Sequence, residues 1–155
     1  IKTSLGILCL CLLCSCSERG ANRDAWPDFQ IVHAIDQVPK PALDAVVDLW
    51  PASAPGIADP SEPFQETDLI TTNALPYRRL VFAGVSAQRV VVVYERGGGR
   101  GLGRCFVVVN VEGATATPSL AGFLPHDAGT PQGVLQAIRN GSFERIPSKV
   151  GDSRL

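Results

Sequence analysis

Residues 78–111 decide the fold of this chain, and they read RRLVFAGVSAQRVVVVYERGGGRGLGRCFVVVNV. Two strand-like runs, Arg79–Val85 and Arg89–Tyr94, are joined by a short turn, and a third run covers Cys105–Val111. The four valines of Val90–Val93 are apolar on both faces, as in a central strand that is covered on both sides. The stretch therefore predicts the centre of a β-sheet.

Two amphipathic segments flank these strands. Residues 41–50 place four apolar side chains at helical spacing, so they form one apolar stripe. Residues 131–140 follow Thr130, a candidate N-cap, and Asn140-Gly141 closes the segment. Both segments predict helices.

Two weaker strands complete the pattern. Residues 29–35 alternate in a way that favours a short strand, and residues 114–124 favour a weak edge strand because Pro118 cannot occupy a central one. These segments predict an α+β fold, in which an antiparallel meander of three or four strands packs against two helices. A small β-sandwich or half-barrel is the alternative.

The composition fits one soluble domain rather than two. The chain has 155 residues, is 45% hydrophobic and has a formal net charge of −1, which excludes a disordered chain and a strongly basic nucleic-acid binder. The predicted domain covers residues 29–150, with a Pro-rich surface loop at 51–66 and a tail at 151–155.

Four of the five cysteines lie within the first sixteen residues. They belong to an uncharged apolar run that follows Lys2 and ends before Glu18. A run of about 10–14 apolar residues is too short for a membrane-spanning helix, which needs about 20. The run is typical of the apolar region of a secretory signal segment.

The end of this run, Leu13-Cys14-Ser15-Cys16, resembles the lipobox of bacterial lipoproteins. The resemblance implies that residues 1–15 are a cleaved signal peptide and that Cys16 carries the lipid, with palmitate among its acyl chains. Residues 16–28 are polar and aperiodic, and they predict a flexible tether. Ser17 after the lipidated cysteine implies an outer-membrane anchor, with the domain in the periplasm.

Charge is segregated along the chain. Residues 24–68 carry nine acids and one lysine, whereas residues 78–104 carry six arginines and one acid. Within the glycine-rich loop, Arg96, Arg100 and Arg104 are candidates for binding an anion. The alternative is an ordinary hairpin loop whose arginines pair with the acidic segment, since neither a P-loop nor a dinucleotide-binding spacing is present.

Signals for catalysis are few. His126 and Asp127 are the candidates for a small hydrolase, but no nucleophile elbow or zinc-protease motif accompanies them. No set of ligands predicts a metal or a cofactor. His33 is predicted to be a half-buried strand residue, and Cys105, the one cysteine outside the leader, a buried and inert thiol.

The sequence therefore predicts a membrane-anchored envelope lipoprotein with a non-enzymatic binding or structural domain. Its expected partners are the membrane, through the lipid on Cys16, and an envelope protein or anionic envelope polymer, but not a nucleic acid. An inhibitor or immunity-type protein acting on another protein is one alternative, and the hydrolase built on His126 and Asp127 is the other. No sequence feature specifies an oligomeric state.

Overall fold

The computed structural model describes residues 26–49, 56–67, 75–97, 103–125 and 129–146. They form an open antiparallel sheet of six strands, in which each strand lies beside the next one in the chain. The strands are β1 (Gln30–Val32), β2 (Arg78–Val85), β3 (Arg89–Arg96), β4 (Gly103–Glu112), β5 (Thr115–Leu124) and β6 (Glu144–Arg145). The helices are α1 (Lys40–Leu49) and α2 (Pro131–Arg139), and a 3-10 turn covers Ile35–Gln37.

The predicted α+β class and the antiparallel meander are confirmed, but three or four strands is too low a count. Strand β1, with three residues, lies within the segment 29–35 that favours a short strand, whereas β6, with two residues, was not predicted. A two-residue segment carries too few alternating positions for a sequence pattern. Both outer strands form because β2 and β5 present backbone groups along their edges.

The sheet is buried on both faces, and one helix covers each. Val90 and Val92 point toward the face that holds α1, where they pack in one cluster with Val46. Val91 and Val93 point toward the face that holds α2, where they pack with Ile138. All four valines of β3 are fully buried. Burying one such side chain contributes roughly 1.5–3 kcal/mol, so β3 is the centre of the core.

The predicted weak edge strand is a full partner of β4. Residues 115–124 pair with β4 from Glu112 back to Arg104, and a register shift at Val108 and Val109 accommodates Pro118. The Ser119 hydroxyl donates a hydrogen bond of 3.2 Å to the Val108 carbonyl at this irregularity. Strand β6 covers the outer side of β5 only near its C-terminal end.

Both predicted helices are present, with boundaries within one residue of the expected ones. The predicted N-cap of α2 is confirmed, because the Thr130 hydroxyl accepts a hydrogen bond of 3.3 Å from the Gly133 amide. Pro131 occupies the first turn, where backbone N–H groups have no partner within the helix, so the missing N–H of proline costs no hydrogen bond. Within the described ranges, no helix is long and apolar enough to cross a membrane.

The described part of the Pro-rich loop is not wholly on the surface. Ala58 forms a parallel bridge with β2: its amide donates to the Arg78 carbonyl at 2.9 Å, and its carbonyl accepts from Leu80 at 2.8 Å. Phe64 and Gln65 are also buried. This segment therefore occupies the part of the β2 edge that lies beyond the short strand β1.

The end of the predicted tether packs on the domain. Trp26 makes an edge-to-face contact with Phe29, with ring centroids 5.6 Å apart, and both side chains pack against the α2-side core. The Arg89 guanidinium lies over the Trp26 ring at 5.9 Å. The chain therefore enters the fold beside the first residue of β3.

Candidate functional site

The predicted anion-binding arginines lie at one end of the sheet, but the sheet divides them. Arg96 is the last residue of β3 and is directly opposite Gly103 of β4, whereas Arg104 is opposite Glu95. Because successive residues of a strand point to opposite faces, Arg96 lies on the α1 side and Arg104 on the α2 side. Arg100 lies outside the described residues.

Two further arginines, Arg78 and Arg79 at the start of β2, belong to the same end of the sheet. They are directly opposite Arg96 and Glu95 in the antiparallel register. We call this set the arginine end: Arg78, Arg79, Arg96 and Arg104, together with Glu95. Arg78 and Arg79 were counted in the arginine-rich segment but were not predicted as anion-binding residues. The signal was the dipeptide Arg78-Arg79, since a hairpin aligns the start of one strand with the end of the next.

On the α2 side, one carboxylate lies between two guanidinium groups. Arg79 Nη2 is 2.8 Å from one Glu95 oxygen, and Arg104 Nη2 is 3.8 Å from the other. The Arg79 guanidinium also stacks over the Phe64 ring, 4.2 Å from its centroid. About a quarter of each charged side chain is exposed, so the row presents two positive charges and one negative charge to solvent.

On the α1 side, an exposed arginine lies beside buried polar groups. Arg78 is only 2% exposed, and Tyr94 and Cys105 are equally deeply buried, whereas Arg96 is exposed. Burial lowers the pKa of Arg78, although its usual pKa is so high that it stays charged. Burial also raises the pKa of Tyr94. The tyrosine hydroxyl is therefore neutral. It makes no hydrogen bond of normal geometry to a described residue, and the Cys105 thiol is its weakly polar neighbour.

Cys105 is buried, as predicted. Its side chain is a free thiol on the α1 side of β4, opposite Tyr94. Burial raises the pKa of the Cys105 thiol to about 11. Since the thiolate is the reactive form, the protonated thiol is inert at physiological pH.

Among the described residues, the ion pairs of Arg79 and Arg104 are made within the sheet, to Glu95. Two acids of the acidic segment at 24–68 act locally instead. Asp44 pairs with Lys40 one helical turn away at 2.7 Å, and Asp59 accepts a hydrogen bond of 2.8 Å from the Ile35 amide. Part of the acidic segment nevertheless packs against this end of the sheet, since Ala58 bridges Arg79 and the backbone of Gln65 and Glu66 lies against Gly97.

The remaining candidates do not form a site within the described ranges. The prediction for His33 is wrong: the residue follows the short strand β1, is exposed, and places Nδ1 3.4 Å from the Val81 carbonyl oxygen. His126, Asp127 and Cys16 lie outside the described residues. Among the residues that are described, no group of histidine, cysteine or acidic side chains is placed to hold a metal ion.

The arginine end is thus the feature of the described fold with chemistry for a ligand. Guanidinium groups donate to carboxylate and phosphate oxygens in a planar fork, and here a rigid sheet fixes their positions. Comparison of the chain with known protein families, with curated proteins and with solved structures finds no match.

Proposed function

We propose that this protein is a bacterial envelope lipoprotein, held on a membrane by lipid on Cys16, whose domain binds an anionic polymer and catalyses no reaction. The observation that supports binding is the arginine end, where four guanidinium groups and one carboxylate lie within three neighbouring strands. Neighbouring strands are about 4.8 Å apart, so these charges are closely spaced. Because the arginines lie on both faces, they are better suited to bind a flexible chain of anionic groups, which can cross the end of the sheet, than a flat acidic surface.

The position of the arginine end suits a protein anchored through its N-terminal region. Trp26 contacts Arg89 at the first residue of β3, and the arginine end includes the last residue of the same strand. Eight residues of strand span roughly 23 Å. With a lipid on Cys16, the chain enters at one end of the sheet and the arginines lie at the other, where they meet a polymer beyond the membrane surface.

Removing two arginines of the arginine end is expected to weaken binding to an anionic polymer. The double variant Arg96→Gln, Arg104→Gln removes one charge from each face, and we expect about a tenfold loss of affinity for polyphosphate, measured by calorimetry in 50 mM salt. The loss should shrink in 200 mM salt, because exposed charges are screened. Arg145→Gln, which removes an exposed arginine of β6, is the matched control. Equal affinity for the double variant and the wild type would refute the proposed binding.

Replacing Cys16 is expected to release the protein from the membrane. Each methylene group of an acyl chain that is buried in the bilayer contributes about 0.8 kcal/mol to membrane binding, so two or more acyl chains hold a protein on the membrane. In bacteria expressing the full chain behind an initiating methionine, Cys16→Ala should lose labelled palmitate and move to the soluble fraction. Cys14→Ala, within the same leader, is the control and should keep its label. Equal labelling of the Cys16 variant would show that the anchor is elsewhere.

A further inference from the structure

The α2 side of the arginine end is a row of alternating charges. Arg79, Glu95 and Arg104 are directly opposite one another across β2, β3 and β4, and the row ends on β5 at the buried, uncharged Leu124. The next row on this face holds three buried apolar side chains, those of Phe82, Val93 and Phe106. The charged groups therefore lie at the border between the core and solvent, where charges interact more strongly than in bulk water.

Glu95 holds the two arginines of this row unequally. Arg79 Nη2 donates a hydrogen bond of 2.8 Å to one carboxylate oxygen, and the Arg79 guanidinium also stacks on the Phe64 ring at 4.2 Å. Arg104 Nη2 is 3.8 Å from the other oxygen, which is too long for a hydrogen bond. Arg79 is therefore fixed by two close contacts, whereas Arg104 is held only by attraction between charges.

The Arg104 guanidinium has donors to offer to another group. Among the described residues, Glu95 is the acid within ion-pair distance of Arg104, and no hydrogen bond joins the two. A guanidinium donates in a planar fork that matches the oxygens of a phosphate or a carboxylate. About a quarter of the Arg104 side chain is exposed, so an anionic ligand can reach part of it.

Glu95 opposes any anion that binds to Arg104. Its carboxylate lies in the same row and is held there by Arg79, so an anionic group on Arg104 has a second negative charge beside it. Like charges on adjacent strands repel, and the repulsion increases where water is partly excluded. The carboxylate that balances the row in the free protein therefore lowers the affinity of the row for an anion.

We propose that Arg104 is the ligand-binding arginine of the α2 side and that Glu95 is a competing anion built into the site, which limits its affinity for the polymer. Arg79 is a positioning residue, because it holds the Glu95 carboxylate and keeps it from closing on Arg104. This inference rests on the proposed binding of an anionic polymer, and it gives each residue of the row a different role in that binding.

Calorimetric titration of the full chain with polyphosphate in 50 mM salt tests these roles. We expect Glu95→Gln to bind about threefold more tightly than the wild type, because the variant lacks the repelling charge, and Arg104→Gln to bind about threefold more weakly. The gain in Glu95→Gln should shrink in 200 mM salt, as expected for partly exposed charges. Glu112→Gln removes an exposed acid at the far end of β4 and is the matched control for net charge.

A double-mutant cycle separates positioning by Arg79 from direct contact with the ligand. Arg79→Gln frees the Glu95 carboxylate to pair with Arg104, so we expect it to weaken polyphosphate binding about threefold in the wild type. In the Glu95→Gln background the same substitution should cost less, because no carboxylate remains to be held. An equal cost in both backgrounds would show that Arg79 contacts the polymer itself and would overturn its positioning role.

The affinity of Glu95→Gln decides the inference. Partly exposed ion pairs contribute little to stability, so this variant should fold, and its far-UV circular dichroism should match that of the wild type. If the wild type binds polyphosphate and Glu95→Gln binds it no more tightly than Glu112→Gln does, the competing role of Glu95 is overturned while the proposed function stands. If neither the wild type nor Glu95→Gln binds polyphosphate, the proposed function fails together with the inference.

Discussion

Gly97→Ala is expected to lower the free energy of unfolding by about 3 kcal/mol or more. A β-carbon at this position would overlap the Gln65 carbonyl oxygen and would lie 2.7 Å from the carbon of that carbonyl. The obstacle is backbone and cannot rotate away as a side chain would, so one of the two segments must move. Both segments are pinned by hydrogen bonds, from Gly97 to the Tyr77 carbonyl at 3.0 Å and from Gln65 to the Pro76 carbonyl at 2.8 Å.

Urea unfolding of the wild type and the variant measures this effect. Gly103→Ala is the matched control in the same hairpin. No described atom lies within 4 Å of its added methyl group, and we expect its stability to stay within about 0.5 kcal/mol of the wild type. A stability of Gly97→Ala equal to that of Gly103→Ala would contradict the close packing of residues 64–67 on the end of β3.

Phe106→Ala is expected to destabilise the domain by about 3–5 kcal/mol. The Phe106 side chain is fully buried on the α2 side of β4, and it packs edge-to-face on Phe143 with ring centroids 4.8 Å apart. Its removal leaves a cavity in the smaller of the two clusters, which includes Val134 and Ile138 of α2. Such a loss is a large fraction of the 5–15 kcal/mol that stabilises a typical domain.

Urea unfolding measures the loss of stability that this cavity causes, and far-UV circular dichroism shows whether the helix content of the domain falls as well. Phe123→Ala is the comparison, since Phe123 is half-buried on the opposite face. We expect its cost to be less than half that of Phe106→Ala. Similar losses for the two variants would indicate that α2 and β6 contribute little to the α2-side core.

The central hairpins were predictable because a continuous run of β-branched apolar residues is typical of a strand that is buried on both faces. Val90–Val93 has apolar residues at every position, and the helices on the two faces bury both alternating sets. The edges were less predictable. Strand β6 has only two residues, and its pairing with Gly122 and Phe123 depends on where α2 delivers the chain.

The Pro-rich loop illustrates the same limit. Its prolines predict an irregular surface segment, and the sequence carries no sign that Ala58 pairs with β2 or that Phe64 stacks under Arg79. Those contacts form because β1 ends early and leaves part of the β2 edge open. Tertiary structure therefore turned a segment without local preference into part of the core.

The candidate site depended on register more than on composition. The sequence identifies an excess of arginine between residues 78 and 104, and it singles out Arg96, Arg100 and Arg104 by their glycine-rich setting. The antiparallel pairing places Arg96 and Arg104 on opposite faces and brings Arg78 and Arg79 beside them. A spacing of eight residues along the chain does not reveal this, because the fold of the intervening hairpin sets the faces.

The sequence by itself determined the chemical inventory of this protein: valine-rich strands, two amphipathic helices, a segment that resembles a lipobox and an excess of arginine around one glycine-rich loop. These are local properties, set by composition and by the spacing of apolar residues along the chain. Only the tertiary structure decided that Glu95 pairs with Arg79 and Arg104, and that the Tyr94 hydroxyl is buried. Such relations are set by strand register and by the two-sided burial of the sheet, which join residues that are distant in the chain.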